Sequence, residues 1–166
     1  MAIIDGLLQE LEQEAKTTRR VLERVPDNHL TWRPHPKART LGDLALHIAI
    51  IPGFFAELVA LPSPAEAPRF IDPSPKSASE LIVTLDVSVA KAKKALRGMD
   101  DAALAATWRL KQGDRELFAL PRMALLRSVM LNHSYHHRGQ LSVYLRELGL
   151  SVPSIYGPSA DENPFA

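Results

Sequence analysis

Ile3, Leu7, Leu11, Ala15, Thr18, Val21, Leu22 and Val25 recur at steps of three and four, while Gln9, Glu12, Lys16, Arg19 and Arg20 fill the other side. That period belongs to a helix with one buried face, so a first helix is expected until Pro26-Asp27 ends it. Residues 28–39 carry Trp32-Arg33-Pro34-His35-Pro36, whose two prolines forbid regular helix; a loop with one aromatic anchor is expected. Thr40-Leu41-Gly42-Asp43 reads as a variant capping box opening a second helix, with Leu44, Ile48, Ile51, Phe55, Leu58 and Val59 as its buried stripe. Pro52 should kink that helix, because it has no N–H for the carbonyl of Ile48. A proline-rich connector spans 61–75, and Ser77-Ala78-Ser79-Glu80 is a second capping box. Leu81, Leu85, Val89, Ala92 and Leu96 mark a third helix, with Gly98 as its stop. Residues 107–118 alternate weakly around Gly113, as a hairpin or an irregular excursion would. Pro121 opens a long last helix that should run to Leu148 before Gly149, and the tail from Val152 to Ala166 should wander over the surface.

Four amphipathic helices with long connectors after the first and second most simply make an all-α antiparallel four-helix bundle, one domain over residues 1–166. The 20 basic and 19 acidic residues are interspersed and leave a net charge of +1, which argues against a nucleic-acid or polybasic membrane surface. The absence of cysteine removes disulfides, thiolate ligands and a cysteine nucleophile, so metal chemistry must rest on His, Asp and Glu. The amino terminus has no basic or sustained apolar leader region, and no apolar run is read as approaching the roughly 20 residues of a membrane span. A soluble, cytoplasmic protein is expected, with neither nucleic acid nor membrane as partner.

The chemistry concentrates in Asn132-His133-Ser134-Tyr135-His136-His137-Arg138-Gly139-Gln140. Histidines four apart share one helix face, so His133 and His137 can aim at one point. Leu126, Met130, Leu141, Tyr144 and Leu148 continue that face, so the pair should look inward. His47, beside the apolar stripe of the second helix, is the candidate for a third ligand. Two imidazoles from one helix and one from another make a tripod with open positions for water or substrate. His136 is turned about 100° from His137 and is expected to pack against another helix or a dimer partner. Gly139 suggests close approach of another helix. Arg138 fits an anionic substrate or a solvated face equally, and Asp43 fits a cap or a partner that orients His47. Trp32, Trp108 and Tyr156 are read as loop anchors or as the mouth of a pocket, and His29 and His35 as solvated. No carboxylate lies at a helical step from His133 or His137, which weakens a protease-like mechanism.

His47 after a Trp-Arg-Pro and Thr-Leu-Gly-Asp-Leu context, followed by His-Ser-Tyr-His-His-Arg-Gly-Gln, resembles the DinB/YfiT-like superfamily of metal-dependent enzymes. The resemblance implies a four-helix bundle, usually a homodimer, holding one divalent ion, zinc or nickel, on His47, His133 and His137, with His136 as a neighbour that does not ligate. Members of that superfamily include hydrolases and transferases or isomerases that use a low-molecular-weight thiol. A metal-dependent hydrolase or thiol-dependent transferase acting on a small molecule is therefore expected. The nucleophilic thiol would come from a cofactor, since the chain has none. The competing expectation is a stress-induced, non-catalytic dimer in which the ion only staples the second helix to the fourth.

Overall fold

The computed structural model describes residues 2–69, 71 and 73–165; residues 70 and 72 of the expected connector, and both terminal residues, lie outside the described residues. Three helices of 20 residues occupy most of the first hundred positions: α1 (Ile3–Leu22), α2 (Leu41–Ala60) and α3 (Ala78–Arg97). Strand β1 (Ala65–Glu66) lies between α2 and α3. A short α4 (Asp101–Ala105) leads into β2 (Thr107–Gln112) and β3 (Arg115–Pro121). The last helical segment is composite: one turn, α5 (Arg122–Leu125), then π-helix over Leu126–Asn132, then α6 (His133–Glu147).

The expectation of an all-α fold is therefore corrected: the fold is helical with a small three-stranded sheet in the order β1-β2-β3. Within 107–112, Trp108 and Leu110 are buried while Thr107, Arg109 and Gln112 are exposed, which is the two-residue period of a strand. β2 pairs antiparallel with β3 from Thr107↔Pro121 to Gln112↔Arg115, and Gly113, at φ 59°, supplies the left-handed residue its turn requires. The stretch read as plain connector contributes β1, which runs parallel to β2 through Ala65↔Leu110. Trp108 is buried and its Nε1–H donates to the carbonyl of Leu61 at 3.0 Å, fastening the hairpin to the end of α2. It is a structural anchor.

α2 is the element around which the others pack. Thr40 caps it as read, its Oγ1 accepting from the Asp43 N–H at 3.0 Å. By length and composition α2 could span a membrane, contrary to the reading that no such run exists, but most of it is buried inside the domain, as a core helix is. The helix continues through Pro52. Proline removes one backbone donor there, and a hydroxyl from α3 serves the disturbed turn. Ser88 Oγ accepts from the Gly53 N–H at 2.8 Å and donates to the Ile50 carbonyl at 3.0 Å. Ser88, buried, thus takes the place expected for Val89, which is half-buried. A Cβ at Gly53 would lie 2.8 Å from the Ser88 carbonyl oxygen, so only glycine allows this approach. α3 begins where expected but by another device: its Ala78 N–H donates to Asp27 at 2.6 Å, and Ser77 makes no side-chain cap.

In the last helix the buried residues are Leu125, Leu126, Met130, Leu131, Ser134, Arg138, Leu141 and Leu145. The stripe thus differs from the expected one, which ran through His133, His137 and Tyr144. A π-helix makes about one residue more per turn than an α-helix, so the segment 126–132 shifts the inward face. His133 and His137 end up half-buried on the shoulder of the stripe. The tail has no regular structure but is pinned. Arg20 holds the carbonyl of Ser154 at 3.0 Å and pairs with Glu162, and Arg146 pairs with Asp161.

Two substitutions test the seam between α2 and α3. Gly53→Ala should destabilise the protein by about 1–3 kcal/mol through overpacking, against the roughly 1 kcal/mol that alanine gains over glycine in an unobstructed helix. Ser88→Ala should cost about 1–3 kcal/mol by leaving the Gly53 N–H buried and unsatisfied. Denaturant midpoints measure both, and a midpoint at or above that of the parent protein for Gly53→Ala would show that the seam yields.

Candidate metal centre

His47 projects from the second turn of α2 and is buried, 6% exposed. His133 opens α6 and His137 follows one turn later. The three sequence-selected imidazoles meet: each offers a nitrogen, and the three nitrogens lie within 4.8 Å of one another. His133 Nε2 is 2.8 Å from His137 Nε2 and 3.4 Å from His47 Nε2. Ring centroids are 4.6 to 5.2 Å apart, and Phe55 of α2 stands 5.7 Å from the His133 ring.

The other ring nitrogens decide what these contacts mean. His133 Nδ1 lies 3.3 Å from the Val129 carbonyl, which can only accept, so Nδ1 carries the proton and Nε2 the lone pair. His137 Nδ1 donates to Gln140 Oε1 at 2.7 Å, with the same consequence. Two lone pairs therefore face each other at 2.8 Å with no proton to share. That contact is repulsive by itself and attractive around a cation. Nitrogens bound about 2 Å from a tetrahedral ion sit about 3.3 Å apart, and the observed 2.8 and 3.4 Å contacts bracket that spacing. The donor set fits a divalent ion of the zinc or nickel type, with the hydrogen-bonded outer nitrogens that such ligands usually show.

The π-helical turn helps to build this arrangement. Carbonyls within it and just before it accept from side chains one turn on. Val129 takes the ring N–H of His133, Met130 takes the hydroxyl of Ser134 at 2.7 Å, and Leu125 takes that of Ser128 at 3.4 Å. The sequence carries no recognisable signal for that turn.

Several neighbours depart from their sequence readings. His136 is exposed, with its ring 4.9 Å from that of His137, so no helix of this chain covers it. Gly139 is exposed with nothing within 4 Å of a built Cβ, so it does not admit another helix. Arg138 is neither solvated nor aimed at a substrate: its side chain is 1% exposed and paired with Glu14 of α1. Asp43, by contrast, keeps its cap reading, its carboxylate bonded to Thr40 and also accepting from Ser74 Oγ at 2.7 Å. Trp32 stacks edge-on against Tyr144 at 5.6 Å, and Tyr156 bonds Glu14 and Arg138. His35 is exposed, as read, whereas His29 is half-buried.

Burial, which disfavours the imidazolium, is the main cause that holds His133 and His137 below their ordinary pKa of 6.5. The guanidinium of Arg39, on the loop before α2, and the ring of His136 act in the same direction on both.

A helical domain in which two helices bring three imidazoles to one point defines a class of candidate metalloprotein. The DinB family model matches residues 3–164, and this chain belongs to the DinB family. It is 29% identical over 163 residues to the uncharacterized protein YrdA of Bacillus subtilis (strain 168), covering 96% of this chain and 91% of that one. The fold resembles a DinB-like protein from Bacillus cereus ATCC 10987, with a TM-score of 0.73, 29% identity, and 93% and 98% of the two chains covered. It also resembles a DinB family member from Exiguobacterium sibiricum 255-15, with a TM-score of 0.64, 20% identity, and 97% and 98% covered.

The lowered histidine pKa values set a pH test. The unfolded chain takes up protons at its ordinary pKa while the native rings resist them, so native stability is lost as pH falls below 6.5 and is unaffected above it. The metal-free protein should melt lower at about pH 5 than at about pH 7, and the His133→Ala/His137→Ala double variant should show a shallower decline. Equal slopes would mean that these rings do not resist protonation.

Proposed function

We propose that this protein is a metal-dependent enzyme in which His47, His133 and His137 hold one divalent ion, zinc or nickel. The observation that carries the reading is the 2.8 Å contact between two imidazole nitrogens whose protons are both committed on the far side of their rings. When bound, such an ion supplies Lewis acidity to an oxygen or sulfur ligand. With only three protein donors, positions stay open for substrate. The chain's own residues orient two of the imidazoles, Val129 fixing the tautomer of His133 and Gln140 that of His137, and burial disfavours protonation of both rings.

No carboxylate belongs to the three-residue cluster, and the chain has no cysteine. The nucleophile therefore comes from water or from a small-molecule thiol, which makes the reaction a hydrolysis or a thiol-dependent transfer on a small substrate. The positive charge of Arg39, felt at both His133 and His137, favours an anionic ligand such as a thiolate or carboxylate.

We further read the chain as one cytoplasmic domain whose long helices form an antiparallel bundle, and as a homodimer. Support for the dimer is the exposure of Val83 and Val87 on α3, beside a groove of about 310 Å³ between α2 and α3.

Elemental analysis of the untagged protein, with His137→Ala and a chelator-treated sample, tests the metal. About one equivalent of zinc or nickel is expected, lost in the variant; trace metal with no uptake on addition would refute the reading. The bundle should survive chelation, while hydrolase or thiol-transfer activity in a substrate screen disappears with the ion. A melt that collapses on chelation, with no turnover by the loaded protein, would instead make the ion structural.

A further inference from the structure

Arg138 follows His137 directly and is the largest buried charged side chain among the described residues. Its guanidinium ties α6 to two other elements, α1 and the tail. One nitrogen donates to the Glu14 carbonyl at 3.2 Å and to Thr18 Oγ1 at 3.1 Å, both on α1. The other donates to the Glu14 carboxylate at 2.6 Å and to the hydroxyl of Tyr156 in the tail. Tyr156 in turn donates to Glu14 at 2.9 Å. The rings of Tyr135 and Tyr156 stand 5.3 and 5.1 Å from the guanidinium carbon. Tyr135 extends the network to Glu10 at 2.9 Å, which also pairs with Arg127.

The position of this cluster along the helix matters as much as its contacts. One hydrophobic cluster takes its last buried side chain from this helix at Leu131, and the other takes its first at Leu141. Between them the only buried side chains are Ser134 and Arg138. In the nine-residue stretch 132–140 that carries both histidines, Tyr135 packs half-buried against the first cluster, and the two fully buried side chains are held by directional polar bonds. Apolar packing is non-directional and tolerates rotation of a helix about its axis. A forked guanidinium fixed to a carboxylate, a carbonyl and a hydroxyl does not. A buried ion pair is a weak source of net stability, and an apolar replacement of similar volume is often as stable or more so. What the pair adds here is geometry.

We propose that Arg138 is a positioning residue for the metal centre: with Glu14, Thr18 and Tyr156 it locks α6 in the rotation that aims His133 and His137 at His47. The inference rests on the metal reading above and adds to it the means by which affinity for the ion is set.

Zinc and cobalt(II) titrations of the full-length chain test it, with the melt of each metal-free protein recorded alongside. The variants are Glu14→Gln, Arg138→Lys, and the double replacement Glu14→Met/Arg138→Met. Each should bind zinc roughly tenfold or more weakly, within the range seen when groups that orient metal ligands are removed, and should alter the visible spectrum of the cobalt form. Arg138→Lys belongs in this group because it keeps the charge and loses the fork. The metal-free double variant should melt at or above the parent protein, separating geometry from stability. Parental affinity and cobalt spectrum in Glu14→Gln and in the double variant would overturn the positioning role. If the double variant does not fold, Glu14→Gln and Tyr156→Phe decide, since Tyr156 is 68% exposed and its hydroxyl can be removed without a cavity. Unchanged binding in both would again overturn it. A parent protein that takes up no ion, or a His137→Ala variant that takes it up equally well, would overturn the metal reading and this inference with it.

Discussion

Two imidazole nitrogens 2.8 Å apart, each ring having spent its only proton on an oxygen elsewhere, cannot satisfy one another. The electrostatic conflict is the constraint on which the rest of the structure turns. Neutral imidazoles that lack a shared proton repel through their lone pairs, and a cation converts the same geometry into coordination. The fold has to hold three rings in a position they would not choose alone, so both helices that carry them need rigid support.

Each helix obtains that support in a way that departs from ideal geometry. α2 continues past Pro52 because Ser88, from the neighbouring helix, bonds both a carbonyl and an N–H of the interrupted turn, and Gly53 lets the two backbones meet. The last helix reaches the site through a π-helical segment, and the Val129 carbonyl within that segment holds the His133 ring. Beyond that segment a buried arginine takes over the role that leucines play above and below it. The hairpin is secondary to this arrangement: Trp108 fastens it to the carbonyl at the end of α2.

The chemistry follows from which side chains the cluster contains and which it lacks. Three nitrogen donors without a carboxylate or thiolate would leave the positive charge of a bound divalent ion uncompensated by the protein, and Arg39 would add to it. On the reading proposed above, such a site would favour an anion, a carboxylate or a thiolate, over a neutral molecule. Membership of the DinB family is consistent with this arrangement and leaves the substrate open.

Local pattern alone determined the three long helices, the Thr40 cap, the hairpin alternative and the choice of His47, His133 and His137. Helical period and residue spacing are properties of neighbouring residues, and a pair at four-residue spacing has one geometric meaning. Only the tertiary structure decided the rest. Strand β1 exists because β2 offers it a backbone edge at Leu110 and Lys111, and nothing within 61–75 encodes that partner. The π-segment shifts the buried face of the last helix, so a regular 3.6-residue reading places His133 and His137 inward, where Ser134 and Arg138 in fact lie. Arg138 looked like a surface or substrate residue because its counter-charge, Glu14, is 124 positions away. Spacing along a helix picks out the candidate ligands, whereas the groups that hold them in place come from other parts of the chain and become visible only once it is folded.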